Sequence, residues 1–80
     1  MSANILTVDD SASIRMTTKI ALSNAGYQVT EAVDGADGLS RAKSGSFDLI
    51  VTDLNMPNMN GLEMIEALRQ SPAHTGIPII

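Results

Sequence analysis

The sequence predicts an α/β fold: a doubly wound parallel sheet, truncated after the start of its fourth strand. Short apolar stretches alternate with amphipathic stretches of helical period along the 80 residues. That order is typical of parallel strands joined by right-handed helical crossovers, with helices on both faces of the sheet. The run 47–52 is almost continuously apolar and rich in β-branched residues, as in a strand buried on both faces.

Length and composition fit one small folded domain. The apolar fraction of 44% argues against disorder. Nine acids and five scattered bases give a net charge of −4, which argues against nucleic-acid binding. No apolar run approaches the ~20 residues that span a bilayer, and the first ten residues do not resemble a signal peptide. We therefore expect a cytoplasmic protein that binds neither nucleic acid nor membrane.

The first predicted unit is a strand over Asn4–Val8 followed by a helix. Serines 11 and 13 are helix-capping types rather than nucleophiles, since no base is placed to activate them. The helix runs from Ile14 to a stop at Gly26. Arg15 and Lys19 are predicted to face solvent, and the predicted inner face consists of Ile14, Thr17, Thr18, Ala21, Leu22 and Ala25.

The second unit begins with a strand of mixed polarity, Tyr27–Ala32, which suits the edge of a sheet. Asp34 is predicted to cap a helix that continues to about Ser44. Gly35 and Gly38 make this helix intrinsically weak.

The third unit begins with the strand Phe47–Thr52, which ends in Asp53. After a loop, Asn60 and Glu63 have the spacing of a capping box. The helix they start is predicted to point Leu62, Ile65 and Leu68 inward, with Met64 flanking. The apolar run Ile77–Ile80 then begins a fourth strand.

Acidic residues follow two of the predicted strands. Asp9 and Asp10 come after the first strand and Asp53 after the third. Neighbouring parallel strands are about 4.8 Å apart and end on one rim, so three carboxylates should converge there. Carboxylates that would otherwise repel one another are ligands that Mg²⁺ prefers. The alternative is that Asp9 or Asp10 only caps the first helix.

These motifs together resemble the receiver domain of two-component response regulators, closest to the chemotaxis (CheY-like) type. The resemblance rests on the acid pair after the first strand and on the run Asp53-Leu54-Asn55-Met56-Pro57, with Gly61 following. It covers essentially the whole chain in order. It implies a flavodoxin-like fold and a role in phosphorelay signalling.

The resemblance also implies a role for each site residue. Asp53 would be the phosphoacceptor, taking a phosphoryl group from a phosphohistidine on a sensor histidine kinase and signalling to a downstream target protein. Asp10 would ligate Mg²⁺ directly, Asp9 through water or as a support, and Asn55 through its backbone carbonyl. A phosphoacceptor of this kind is not an enzyme beyond self-phosphorylation and self-dephosphorylation.

Compared with the family pattern, residues 1–80 are expected to form an incomplete receiver domain. A complete receiver has a fifth strand and last helices, and it supplies a hydroxyl residue and a lysine that contact the phosphoryl group. Without these groups, phosphorylation should be impaired. The exposed strand Ile77–Ile80 should pair with a second copy, giving a homodimer, or with a complementing fragment.

Two other functions remain open from the sequence. A half-fold that no longer switches would act as an assembly or oligomerisation module. A Mg²⁺-dependent aspartyl-phosphate hydrolase of another fold also uses an acid after an apolar strand. That class has a second acid two residues later, where this chain has Asn55.

Overall fold

A parallel three-stranded sheet runs through the middle of the computed structural model, which describes residues 3–53, 59–70, 76 and 78–80. Strand β1 (Asn4–Val8) lies between β2 (Gln28–Ala32) and β3 (Leu49–Thr52). The mixed-polarity strand β2 is therefore an edge strand, as predicted. Strand β3 begins two residues later than predicted, after Asp48, whose side chain accepts a 2.8 Å hydrogen bond from the Asn4 amide.

The chain returns to the sheet beside β3 at residues 78–80. Ile79 forms an isolated parallel bridge with Ile50, and the Ile80 amide donates to the Ile50 carbonyl at 2.9 Å. This pairing represents the predicted fourth strand, although Ile77 lies outside the described residues. Strand β3 is thus an inner strand, but it is less buried than predicted, because Ile50 alone among its residues is fully buried.

Each helix begins at a side chain that caps it. Ser11 caps α1 (Ala12–Asn24), and Asp34 caps α2 (Gly35–Ser44). Asn60 and Glu63 form the predicted capping box of α3 (Gly61–Arg69). Gly26, after α1, has a φ of 95°, the left-handed conformation that glycine adopts at helix ends. No helix in the described ranges is long and apolar enough to cross a bilayer.

The main core lies on the face of the sheet covered by α2 and α3. Its fully buried members are Leu6, Val8, Ala32, Ala42, Ile50, Met64 and Leu68. Because side chains alternate along a strand, Thr7 of β1 points to the opposite face. There it lines a pocket together with residues of α1, which packs against β1 and β2. Helices therefore cover both faces of a parallel sheet, and the predicted doubly wound arrangement is confirmed.

Two glycines let α2 pack closely against its neighbours. A Cβ on Gly38 would lie 2.9 Å from Val8 Cγ2 and 2.7 Å from Met64 Sδ. A Cβ on Gly35 would overlap the backbone carbonyl of Met59, which accepts a 2.9 Å hydrogen bond from the Gly35 amide. Glycine lowers the helix propensity at these positions, but it is what the close packing requires.

Two helices are rotated relative to the predicted inner faces. On α3, Leu62 is 57% exposed while Met64 is fully buried. On α1, the side chain of Arg15 is only 16% exposed, although it is predicted to face solvent. The exposed residues of the predicted inner face of α1 are Ile14, Thr17, Ala21 and Ala25. On α1 the physical reason is polar: Arg15 turns inward to reach hydrogen-bonding and charged partners at the sheet.

Candidate functional site

The three strands end at the same level, so the residues that follow them lie on one rim. The register pairs Val8 with both Ala32 and Thr52. Beyond these pairs, the Asp53 amide donates to the Val8 carbonyl at 3.0 Å, and the Asp9 amide donates to the Ala32 carbonyl at 3.1 Å. Main-chain pairing therefore brings Asp9 and Asp53 side by side.

Asp9, Asp10 and Asp53 form a carboxylate cluster at this rim. They offer one oxygen atom each, and these three atoms all lie within 4.8 Å of one another. In octahedral Mg²⁺ coordination at about 2.1 Å, neighbouring ligand oxygens are about 3 Å apart and opposite ones about 4 Å. The cluster therefore fits a small divalent cation in its chemistry and nearly in its spacing. The three side chains lie together as expected, whereas their individual roles stay predictions.

Two expectations remain: that Asp9 or Asp10 caps the first helix, and that Asn55 is a fourth ligand. Ser11 rather than either acid is the N-cap of α1, and its Oγ accepts from the Ile14 amide at 3.4 Å. Asp9 Oδ1 accepts from the Ser11 amide at 2.8 Å, which orients that carboxylate. Asp10 is exposed. Asn55, the fourth predicted ligand, lies outside the described residues.

A guanidinium lies next to the cluster, at a position that the helical pattern predicts to be solvent-facing. Arg15 Nη1 donates to the Asp9 carbonyl at 2.7 Å, and Arg15 Nε lies 3.9 Å from Glu31 Oε1 on β2. One sequence signal points to this contact. Arg15 lies about one turn into α1, and helical side chains point back toward the N-terminus. A long side chain at that position therefore reaches the loop before the helix.

A pocket of about 300 Å³ opens beside the carboxylate cluster, between α1 and the sheet. We call it the rim pocket. Its charged residues are Asp9, Asp53 and Arg15, so both signs of charge are present. The complete lining is Thr7, Val8, Asp9, Ile14, Arg15, Thr18, Val51, Thr52 and Asp53.

The chain is similar in sequence to known receiver domains and sensor kinases. The sequence profile of the response regulator receiver domain matches residues 5–80. Among curated proteins, the CAI-1 autoinducer sensor kinase/phosphatase CqsS of Vibrio cholerae is 44% identical over 77 residues. That alignment covers 95% of this chain and 11% of CqsS. The chain therefore spans only a small part of this relative.

Solved structures of similar sequence share the fold. The chemotaxis response regulator CheY4 of Vibrio cholerae is 42% identical with a TM-score of 0.95, over 99% of this chain and 66% of that chain. The response regulator TrrA of Thermotoga maritima, solved in complex with Mg²⁺-BeF, is 37% identical with a TM-score of 0.82. The TrrA match covers 88% of this chain and 60% of that chain.

Proposed function

Because the chain belongs to the response regulator receiver domain family of two-component signalling, we propose that it is a phosphoacceptor and that Asp53 takes the phosphoryl group. Receiver domains interact with sensor histidine kinases, and a phosphohistidine on such a kinase is the proposed donor. A downstream target protein, also in the cytoplasm, would read the phosphorylated state. The observation that carries the proposal is the convergence of Asp9, Asp10 and Asp53 at one rim of the sheet.

The proposed transfer forms one bond and breaks one bond. A carboxylate oxygen of Asp53 attacks phosphorus, the bond from phosphorus to the histidine nitrogen breaks, and that nitrogen keeps the electron pair. The product is an acyl phosphate on the chain itself. The chain is thus an acceptor rather than an enzyme, with self-phosphorylation and self-dephosphorylation as its only catalytic steps.

The acidic residues are the proposed Mg²⁺ ligands. Asp10 and Asp53 would bind through carboxylate oxygens, Asp9 through water or as a support, and Asn55 through its backbone carbonyl. When bound, the ion neutralises charge on the phosphoryl oxygens and orients them. Arg15 is the one cationic side chain among the described residues that line the rim pocket, and its Nη1 already bonds the Asp9 carbonyl. With no second cationic side chain in the described lining of the pocket, we expect slow phosphoryl transfer in these 80 residues.

Beryllofluoride, which mimics an acyl phosphate, tests this proposal. When beryllofluoride is added to the protein already saturated with Mg²⁺, we expect further amide shifts in the NMR spectrum at Asp9, Asp10 and Asp53, and no such further shifts in Asp53→Asn. Asp48→Asn is the matched control, since Asp48 lies at the opposite end of β3 and bonds Asn4. It should respond like the parent. Absence of any response in the parent would contradict the proposal and favour the assembly function.

The assembly function rests on segment 78–80. Ile80 is 76% exposed, and this segment is the outermost part of the sheet beyond β3 within the described ranges. Open strand edges pair readily with other chains. We propose that a second copy pairs here, giving a symmetric homodimer. Size-exclusion chromatography with light scattering should report a dimer, and a monomer for Ile80→Lys; a compact monomeric parent would contradict this.

A further inference from the structure

We propose that Arg15 is a positioning residue for the cation site. Its guanidinium holds the peptide that joins Asp9 to Asp10, and thereby sets the carboxylates in the arrangement that Mg²⁺ requires. This inference rests on the proposed function, because it assigns a further residue to the Mg²⁺ site described there. It adds a role for a side chain that binds neither the metal nor the phosphoryl group.

Burial distinguishes Arg15 from the rest of α1. Its side chain is 16% exposed, in a helix where no residue is fully buried. A guanidinium is costly to remove from water unless hydrogen bonds or opposite charges compensate. Here Nη1 donates to the Asp9 carbonyl at 2.7 Å, which is shorter than the usual ~2.9 Å for such a bond. The Asp9 carbonyl is thus the partner that best accounts for the inward orientation.

The pairing with Glu31 is weaker. Arg15 Nε lies 3.9 Å from Glu31 Oε1, beyond hydrogen-bond range, and this buried nitrogen has no hydrogen-bond partner among the described residues. Lys19 approaches the same carboxylate at 3.8 Å while remaining half exposed. Linking α1 to β2 through Glu31 therefore does not require an arginine at position 15. The guanidinium, by contrast, places Nη1 on the Asp9 carbonyl while Nε of the same group faces Glu31, and the single ammonium of a lysine cannot reproduce that arrangement.

The position of the Asp9 carbonyl affects the geometry of the cation site. It belongs to the peptide plane that continues into Asp10, so fixing it also fixes where the Asp10 side chain starts. Two more hydrogen bonds hold Asp9: its amide donates to the Ala32 carbonyl, and its Oδ1 accepts from the Ser11 amide. Mg²⁺ demands near-ideal octahedral geometry, whereas Ca²⁺ tolerates irregular sites. Loosening this peptide should therefore affect Mg²⁺ more than Ca²⁺.

Arg15→Lys tests the inference, because it keeps the positive charge and removes the planar guanidinium. We expect Mg²⁺ affinity, measured by titration calorimetry, to fall about 10-fold, the size of loss typical when support for metal ligands is removed. Ca²⁺ affinity should fall less, so the ratio of the two affinities drops. Lys19→Met is the matched control: it removes the other cation facing Glu31 without touching Asp9, and both affinities should stay at the parent values.

Three results would overturn the inference. The first is unchanged Mg²⁺ affinity in Arg15→Lys. The second is an equal loss for both ions, which would indicate a general structural role. If Arg15→Lys fails to fold by circular dichroism, Arg15→Gln tests the same affinity ratio, and a ratio equal to the parent's is the third. Failure of the proposed function is distinguishable, because it would appear as a parent that binds Mg²⁺ but does not respond to beryllofluoride, whereas failure of this inference appears only in the Mg²⁺ and Ca²⁺ affinities of the Arg15 variants.

Discussion

The amide of Asp53 donates a 3.0 Å hydrogen bond to the carbonyl of Val8. Strand pairing therefore extends one residue past the end of β3, and the phosphoacceptor candidate is held in place by its backbone. A site built in this way should tolerate substitution of the acidic side chains without loss of the fold.

Asp10→Ala should abolish Mg²⁺ binding and leave folding intact. Asp10 is exposed, and surface substitutions usually change the free energy of unfolding by no more than about 0.5 kcal/mol. Titration calorimetry measures the affinity, and urea unfolding measures the stability. Asp48→Ala removes an acid away from the rim and should leave Mg²⁺ binding unchanged. Parental Mg²⁺ affinity in Asp10→Ala would refute the ligand assignment.

The orientation of α3 predicts that alanine substitution of two of its leucines changes the free energy of unfolding by very different amounts. Leu68 is fully buried and Leu62 is 57% exposed. Leu68→Ala removes buried apolar contacts and should lower the free energy of unfolding by about 2 to 5 kcal/mol. Leu62→Ala in the same helix should change it by about 0.5 kcal/mol or less. Urea unfolding of both variants is the measurement, and similar losses in the two would show that the orientation of α3 is wrong.

The close packing of α2 predicts that Gly38→Ala destabilises the chain. The added Cβ would lie 2.7 Å from Met64 Sδ and 2.9 Å from Val8 Cγ2. Overpacking costs about 1 to 3 kcal/mol and the gain in helix propensity offsets about 1 kcal/mol of it, so a net loss of up to about 2 kcal/mol is expected. Gly76→Ala is the control, because no other part of the described chain lies within 4 Å of the new Cβ. A thermal midpoint above the parent's for Gly38→Ala would count against this packing.

Much of the fold follows from local sequence patterns. Strand composition, capping residues and the glycine after α1 predict the order and approximate bounds of the described elements. The convergence of Asp9, Asp10 and Asp53 is also predictable, because parallel strands end on one rim. The site therefore follows from the alternation of elements together with three aspartates.

Features that depend on contacts between elements were not predictable in this way. Leu62 and Met64 both suit an apolar helix face, and only the position of α3 over the sheet buries one and exposes the other. The same holds for Gly38, which is needed only because α2 approaches Val8 so closely that a Cβ would not fit. Arg15 has the charge of a surface residue, and the helical pattern alone places it toward solvent. Only its position one turn into α1 indicates that its side chain reaches the loop before the helix.

Phosphoryl transfer to Asp53 is tested most directly by intact-protein mass spectrometry after incubation with acetyl phosphate and Mg²⁺. The parent should gain the mass of one phosphoryl group, slowly, and the gain should disappear when Mg²⁺ is removed by a chelator. Asp53→Asn should show no gain, while Asp48→Asn should behave like the parent. No adduct on the parent, or the same adduct on Asp53→Asn, would contradict the assignment of Asp53 as the phosphoacceptor.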